Sequence, residues 1–143
     1  MRVRGLIDRV DTDGGAHAIV RDYKSRGRDS HRGARWEADQ QLQVGLYMLA
    51  VKRLLGLEPI AGFYQPLGGE KLAGRGLFVK DEPVGDGVVP TDGRSEEEFS
   101  AALDHTAARA VALAERLRAG ELAPCPETCS RNGCAYPGIC RVV

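Results

Sequence analysis

The sequence predicts a small α/β or α+β domain, from three observations. Two stretches of strand character flank a turn rich in Asp and Gly, two long stretches carry helical spacing, and two further short strands lie between those helices. The order is therefore β-β-α-β-β-α followed by an irregular tail, and 143 residues suffice for one core of this kind.

Residues 2–11 (RVRGLIDRVD) and 17–24 (HAIVRDYK) read as the two strands of a hairpin around TDGGA. The segment 27–35 is rich in Gly, Arg and Ser and is expected to be a mobile loop. From Trp36 to about Leu55 the spacing predicts a helix with an apolar stripe of Leu42, Leu46, Leu49, Ala50 and Leu54, and Gly56 stands where a C′ glycine would end it. Residues 59–67 and 72–79 read as short strands joined by a Gly-Gly turn, and 80–94 as an acidic loop. Ser95 opens the second helix with Glu98 as its capping-box partner, and Gly120 stops it. Residues 1–120 are expected to form the core domain and 121–143 a cysteine-rich tail.

Lys plus Arg and Asp plus Glu both number 20, so no bulk positive field argues for nucleic acid. The distribution is uneven, however. Residues 1–35 hold nine basic and five acidic side chains, against six and eleven in 36–100 and five and four in 101–143. Sixteen of the basic residues are Arg, which suits planar partners such as phosphate, although GC-rich coding gives the same bias. No apolar run reaches the roughly 20 residues of a membrane span and no signal-peptide pattern follows Met1, so a soluble, cytoplasmic protein is expected.

The hairpin carries charges where a half-buried strand should not. Asp8 lies between Ile7 and Arg9, and Asp22 and Lys24, at i and i+2, leave one face of the second strand. Such charges are costly unless paired or bound to a metal. Asp8 faces Asp22 only if paired positions sum to 30, which needs an odd-length loop such as Gly14-Gly15-Ala16; a two-residue turn would send Asp8 to the other face. Two carboxylates beside an amine can hold Mg²⁺ or Mn²⁺ through hard oxygens, activate water and offset charge on a phosphodiester. The alternative is a solvated edge hairpin in which Asp8 pairs with Arg21 or Lys24.

GLIDRVD followed by IVRDYKS resembles motifs II and III of the PD-(D/E)XK nuclease superfamily, in particular its RecB/AddB-type exonuclease branch. The resemblance implies a restriction-endonuclease-like core, with a central mixed β-sheet flanked by helices. It also implies metal ligation by Asp8, Asp22 and the backbone carbonyl of Tyr23, with Lys24 catalytic. Family members follow D-Y-K-S with a helix bearing Q-x-x-x-Y, which Gln43 and Tyr47 match; the polar stripe Trp36, Gln40, Gln43 and Tyr47 is expected to look back at the hairpin. They also carry a helix before the first active-site strand, often with a Glu or His for the metal. Here Met1 is seven residues before Asp8, so that helix and its ligand are missing from this sequence.

All four cysteines fall in the tail, as C-x3-C-x4-C-x5-C at Cys125, Cys129, Cys134 and Cys140. Thiolates packed so closely point to Zn²⁺ or an iron–sulfur cluster rather than a disulfide framework. The ending C-A-Y-P-G-I-C-R is similar to that of the iron–sulfur branch of these nucleases and implies a [4Fe-4S] cluster, ahead of zinc and of disulfides. Cys134 and Cys140 match the last two ligands of that branch, but position 131 is Arg, so Cys129 or Cys125 would serve instead. The four sulfurs are expected to converge on one centre.

The resemblance implies a Mg²⁺- or Mn²⁺-dependent DNA exonuclease of repair or recombination, acting on single strands or ends with a helicase in cis or in trans. Arg9 and the run Arg26, Arg28, Arg32 and Arg35 would then touch the DNA backbone, a solvated loop being the alternative for the run. Two other classes stay open. One is a catalytically impaired, nuclease-derived module that binds DNA or a helicase; the other is a zinc-binding interaction domain.

Overall fold

The structure, a computed structural model, describes residues 2–25 and 31–121. The chain divides into two compact units, Met1–Val111 and Ala112–Val143, and the sheet, its core and the site lie in the first.

β1 (Arg9–Thr12) and β2 (His17–Lys24) form the expected antiparallel hairpin, with Arg9 opposite Arg21 and Thr12 opposite Ala18. Every pair sums to 30, the register that Asp8 facing Asp22 would require, although Asp8 itself stands just outside the ladder. The connection is odd in length, and Asp13 shapes it: its Oδ1 accepts the N–H groups of Gly15 (2.7 Å) and His17 (3.3 Å), while Gly14 takes φ +78°. The first strand is shorter than its sequence predicts. The chain bends at Asp8, and residues 2–7 before the bend lie outside the ladder.

α1 (Gln43–Ala50) runs on through a wider π-type turn, Val51–Leu55, and ends at left-handed Gly56. It begins seven residues later than the spacing from Trp36 predicts. Residues 33–35 form a 3-10 turn, 36–40 are turns, and Gln40 at φ +53° breaks any helical continuation. Trp36 is instead drawn into the core, its Nε1–H donating to the His31 carbonyl at 3.0 Å. The buried stripe also differs from the expected one. Val44, Gly45, Met48 and Val51 face inward, and Leu54 is 77% exposed. The helix is apolar almost all round, so periodicity could not choose its inner face; Gly62 does, because a Cβ there would stand 2.6 Å from both Met48 Sδ and Val44 Cγ1.

The α1 crossover makes β2 and β3 (Glu58–Pro66) parallel, with Asp22 opposite Tyr64 and Lys24 opposite Pro66. β3 turns through Gly68-Gly69 into antiparallel β4 (Arg75–Val79), and β5 (Gly93–Arg94) pairs in parallel with β4. This last strand and the 3-10 turn Pro90–Asp92 lie in the segment expected to be loop. Buried Asp92 fastens them: it accepts two bonds from Arg75 (2.7 and 2.8 Å) and one from the Gly76 N–H (3.2 Å). The result is a mixed five-stranded sheet in the order β1-β2-β3-β4-β5.

α2 (Glu96–Arg118) opens with the expected capping box, Glu98 N–H to Ser95 Oγ at 3.2 Å and Ser95 N–H to Glu98 Oε2 at 3.1 Å. Its Phe99 and Leu103 join Ala18, Val20, Tyr64, Leu77 and the inner face of α1 in one core cluster. Ala61, Phe63, Phe78 and Val84 pack a second. Among the described residues no helix is long and apolar enough to cross a membrane.

Two substitutions probe these contacts. A Cβ at Gly76 would run into the Gly62 carbonyl oxygen of the neighbouring strand, so Gly76→Ala should lose at least about 2 kcal/mol in denaturant unfolding. Ser95→Ala removes one half of the capping box and should cost about 1 kcal/mol by the same measurement.

Candidate active site

β2 alternates its side chains, so Ala18, Val20, Asp22 and Lys24 share the face that α1 covers. Asp22 is 3% exposed, deep enough that an ionised carboxylate needs a compensating cation. Lys24 Nζ provides one 2.6 Å from Asp22 Oδ2. Their relation is an ion pair rather than an aligned hydrogen bond, and among the described residues Asp22 Oδ2 has no hydrogen-bond partner. From Lys24 a line of bonds continues along α1. Lys24 Nζ donates to Gln43 Oε1 at 3.0 Å, and Gln43 Nε2 donates to the Tyr47 hydroxyl at 3.1 Å. One helical turn separates Gln43 from Tyr47, which lets a single face of α1 supply both.

Asp8 enters from the bend before β1. Its Oδ2 accepts the Tyr23 backbone N–H at 2.8 Å, which ties it to the strand segment between Asp22 and Lys24. Five residues singled out in the sequence are thus gathered here: Asp8, Asp22, Lys24, Gln43 and Tyr47. Trp36 and Gln40, expected to extend the helical stripe, are not on that helix.

The arginines separate from this cluster. Arg9 stands opposite Arg21 on the other face of the hairpin, where it bonds Asp11 (2.6 Å) and the Tyr23 hydroxyl (3.4 Å). Arg21 bonds Asp11 and Gln65 and lies over the Phe63 ring. Burial pushes the Asp11 carboxyl up, but hydrogen bonds from Arg9 and Arg21 outweigh it and hold the group below its usual range. Arg32 is exposed, and Arg35 holds Asp39 at 2.8 Å. Arg26 and Arg28 lie outside the described residues, as do Cys125, Cys129, Cys134 and Cys140 and the convergence expected of them.

Sequence reasoning missed one neighbour of the cluster, Tyr64, and the His31–Asp39 pair behind it. Tyr64, opposite Asp22 on β3, is fully buried, and Lys24 Nζ sits 5.2 Å from its ring centroid. Burial first, then the Asp22 and Tyr47 charges, push the Tyr64 hydroxyl up to about 12 against the Val44 amide bond that lowers it. His31 packs edge-on against the same ring, and its Nδ1 lies 3.0 Å from Asp39 Oδ2. Period-two alternation along GFYQP would have put Tyr64 on one face with Gly62, but the parallel register that brings it to Asp22 has no local signal.

The residues match the profile of the PD-(D/E)XK nuclease superfamily over positions 1–141. The chain belongs to that superfamily. Neither the curated proteins nor the solved structures contain a match to it. Its five-stranded mixed sheet with flanking helices is the restriction-endonuclease-like α/β core of PD-(D/E)XK proteins, as the hairpin motifs implied. The superfamily is one of divalent-metal nucleases.

The donors can be weighed against such an ion. Among the described residues no three His, Cys, Asp or Glu side chains form a ready metal cage. Asp22 nevertheless offers a buried oxygen without a hydrogen-bond partner among the described residues, and Asp8 a second carboxylate tied to the backbone amide of the next residue, Tyr23. Two carboxylates with the remaining positions left to water and phosphate oxygens are a normal donor set for Mg²⁺. They fit.

Acid should loosen the segment that carries His31. Hydrogen bonds from Arg35, then His31, hold the Asp39 carboxyl below its ordinary value of 3.8. A depressed pKa stabilises the fold above that ordinary value, and the contribution is lost as pH falls through the folded value. The stability gap between wild type and Asp39→Asn should therefore be constant near neutrality and close below about pH 4 in denaturant titrations.

Proposed function

We propose that this chain is a divalent-metal-dependent deoxyribonuclease of the RecB/AddB type, an exonuclease of DNA repair or recombination. The observation that supports it most is the line Asp22–Lys24–Gln43–Tyr47, with a buried carboxylate oxygen at its head that lacks a hydrogen-bond partner among the described residues. Asp8, Asp22 and the Tyr23 carbonyl would hold Mg²⁺ or Mn²⁺. A bound divalent ion supplies Lewis-acid polarisation of the phosphodiester and lowers the pKa of water for attack.

The protein groups have separate tasks in this scheme. Lys24 orients the attacking water and offsets negative charge as the phosphorus centre becomes more crowded. Gln43 holds the ammonium of Lys24, which can only donate and so meets the amide oxygen, while the Tyr47 hydroxyl accepts from the amide nitrogen and steadies it. Beyond Gln43 and Tyr47 a cleft of about 540 Å³ opens between α1 and residues 3–7, with Arg4 in its wall. We assign that cleft to the nucleotide flanking the scissile bond. Exposed Arg32, with Arg26 and Arg28, would meet the backbone of a single strand or an end, and a helicase attached or in trans would deliver it. In this scheme the four cysteines bind a [4Fe-4S] cluster that holds the tail.

Incubating the purified chain with end-labelled single-stranded DNA and Mg²⁺ or Mn²⁺ tests the proposal. Metal-dependent release of short products is expected, reduced at least about a hundredfold in Asp22→Asn and in Lys24→Ala. No cleavage with either metal, or full cleavage by Asp22→Asn, would overturn it. Analysis of the same preparation for iron and acid-labile sulfide should find both; zinc alone would remove the cluster.

A further inference from the structure

We propose that Tyr64 is a positioning residue for Lys24, fixing both the amine and the helix that supplies the amine's second partner. The proposal rests on Lys24 acting in the nuclease centre described above, and it assigns work to a strand outside the hairpin motifs. Lysine is a flexible four-carbon stem ending in a compact charge, so its placement depends on what surrounds the ammonium. Asp22 Oδ2 and Gln43 Oε1 meet it at 2.6 and 3.0 Å. The Tyr64 ring makes the third wall: its centroid lies 5.2 Å from Nζ, inside the range in which an aromatic face attracts a cation.

The other end of Tyr64 reaches the helix. α1 starts after Leu42, whose side chain cannot cap it, so the first amides of the helix need acceptors from elsewhere. The Tyr64 hydroxyl accepts one of them, the Val44 N–H, at 3.5 Å. Val44 directly follows Gln43. The same side chain therefore faces the ammonium with its ring and holds the helix turn that aims Gln43 at that ammonium.

The ring itself has little freedom. It is fully buried, and His31 and Trp36 pack edge-on against it with centroids 5.7 and 6.2 Å away, both at 81°. Trp36 Nε1–H bonds the His31 carbonyl, which locks the two edges to each other. The segment between β2 and α1 is brought down on β4 at Gly33, where a Cβ would stand 2.8 Å from the Gly76 carbonyl oxygen. A backbone approach that close is open only to glycine.

Two variants separate the two ends of the side chain. Tyr64→Phe keeps the aromatic face and loses the hydroxyl; Tyr64→Leu loses both. On labelled DNA, Tyr64→Leu should lower kcat roughly ten- to thirtyfold with little change in KM, while Tyr64→Phe stays within about threefold of wild type. A second readout needs no activity. The chain has four lysines, so trace acetylation followed by mass spectrometry can compare Lys24 with Lys52, Lys71 and Lys80 in one sample. Lys24 should label several times faster in Tyr64→Leu than in wild type, with Tyr64→Phe between the two because it loses only the Val44 bond, and the other three lysines unchanged. Leu103→Ala, a cavity in the same core away from the amine, controls for general loosening. Equal labelling of Lys24 in wild type and Tyr64→Leu, or an equal rise in Leu103→Ala, would overturn the proposal. An inactive wild type would instead remove the nuclease assignment, while the labelling still decides whether Tyr64 holds the lysine.

Discussion

The Asp22 carboxylate is withdrawn from water on the second strand of a five-stranded sheet, and much of the surrounding structure offsets the cost of that burial. Lys24, two residues on, brings a cation to the same face because a strand repeats every second residue. The cation needs its own partners, and these come from a different element, the first turn of α1. The helix can approach so closely because Gly62 presents no side chain to Val44 and Met48. A buried charge thus sets a sequence of demands that ends in the packing of a helix on a sheet.

Buried ion pairs commonly stabilise less than an apolar replacement would. Asp22 and Lys24 are therefore better understood as a prepared charge arrangement than as a fastening. The fold is held elsewhere: by the apolar cluster that joins α1, α2 and the sheet, and by Arg75 and Asp92 at the far edge. That division of labour leaves an acceptor oxygen facing the amine in the middle of an otherwise satisfied core.

Much of the hairpin was legible because its signals are local. The strand β2, the capping box of α2 and the glycines that end both helices follow from residues within a few positions of each other, whereas local pattern left two registers for the hairpin and only the demand that Asp8 face Asp22 chose between them. Where neighbours in space decide, local pattern failed. Trp36 reads as the start of a helix, but its indole goes to the ring of Tyr64 and the helix begins at Gln43. The inner face of α1 was misjudged because leucines surround that helix and only Gly62, far along the chain, selects among them. β5 is two residues long and has no pattern to find. Asp8, Asp22, Lys24, Gln43 and Tyr47 could be read by motif resemblance, whereas Tyr64 depends on a parallel register that no short window encodes.

The turn between β1 and β2 has a consequence for how this chain could change. Surface connections are ordinarily the places where a protein accepts inserted or deleted residues, since the strands on either side are indifferent to what joins them. Here the connection from Asp13 to His17 counts. Adding or removing two residues would keep Asp8 on its face; adding or removing one would turn β1 over, moving Asp8 to the opposite side of the sheet and withdrawing Val10 from the core cluster it packs against. The loop is therefore open to even steps of length and closed to odd ones, while Asp13 and left-handed Gly14 limit its composition. A single-codon insertion there would displace one of the two acidic residues and expose part of the apolar face of β1 with it.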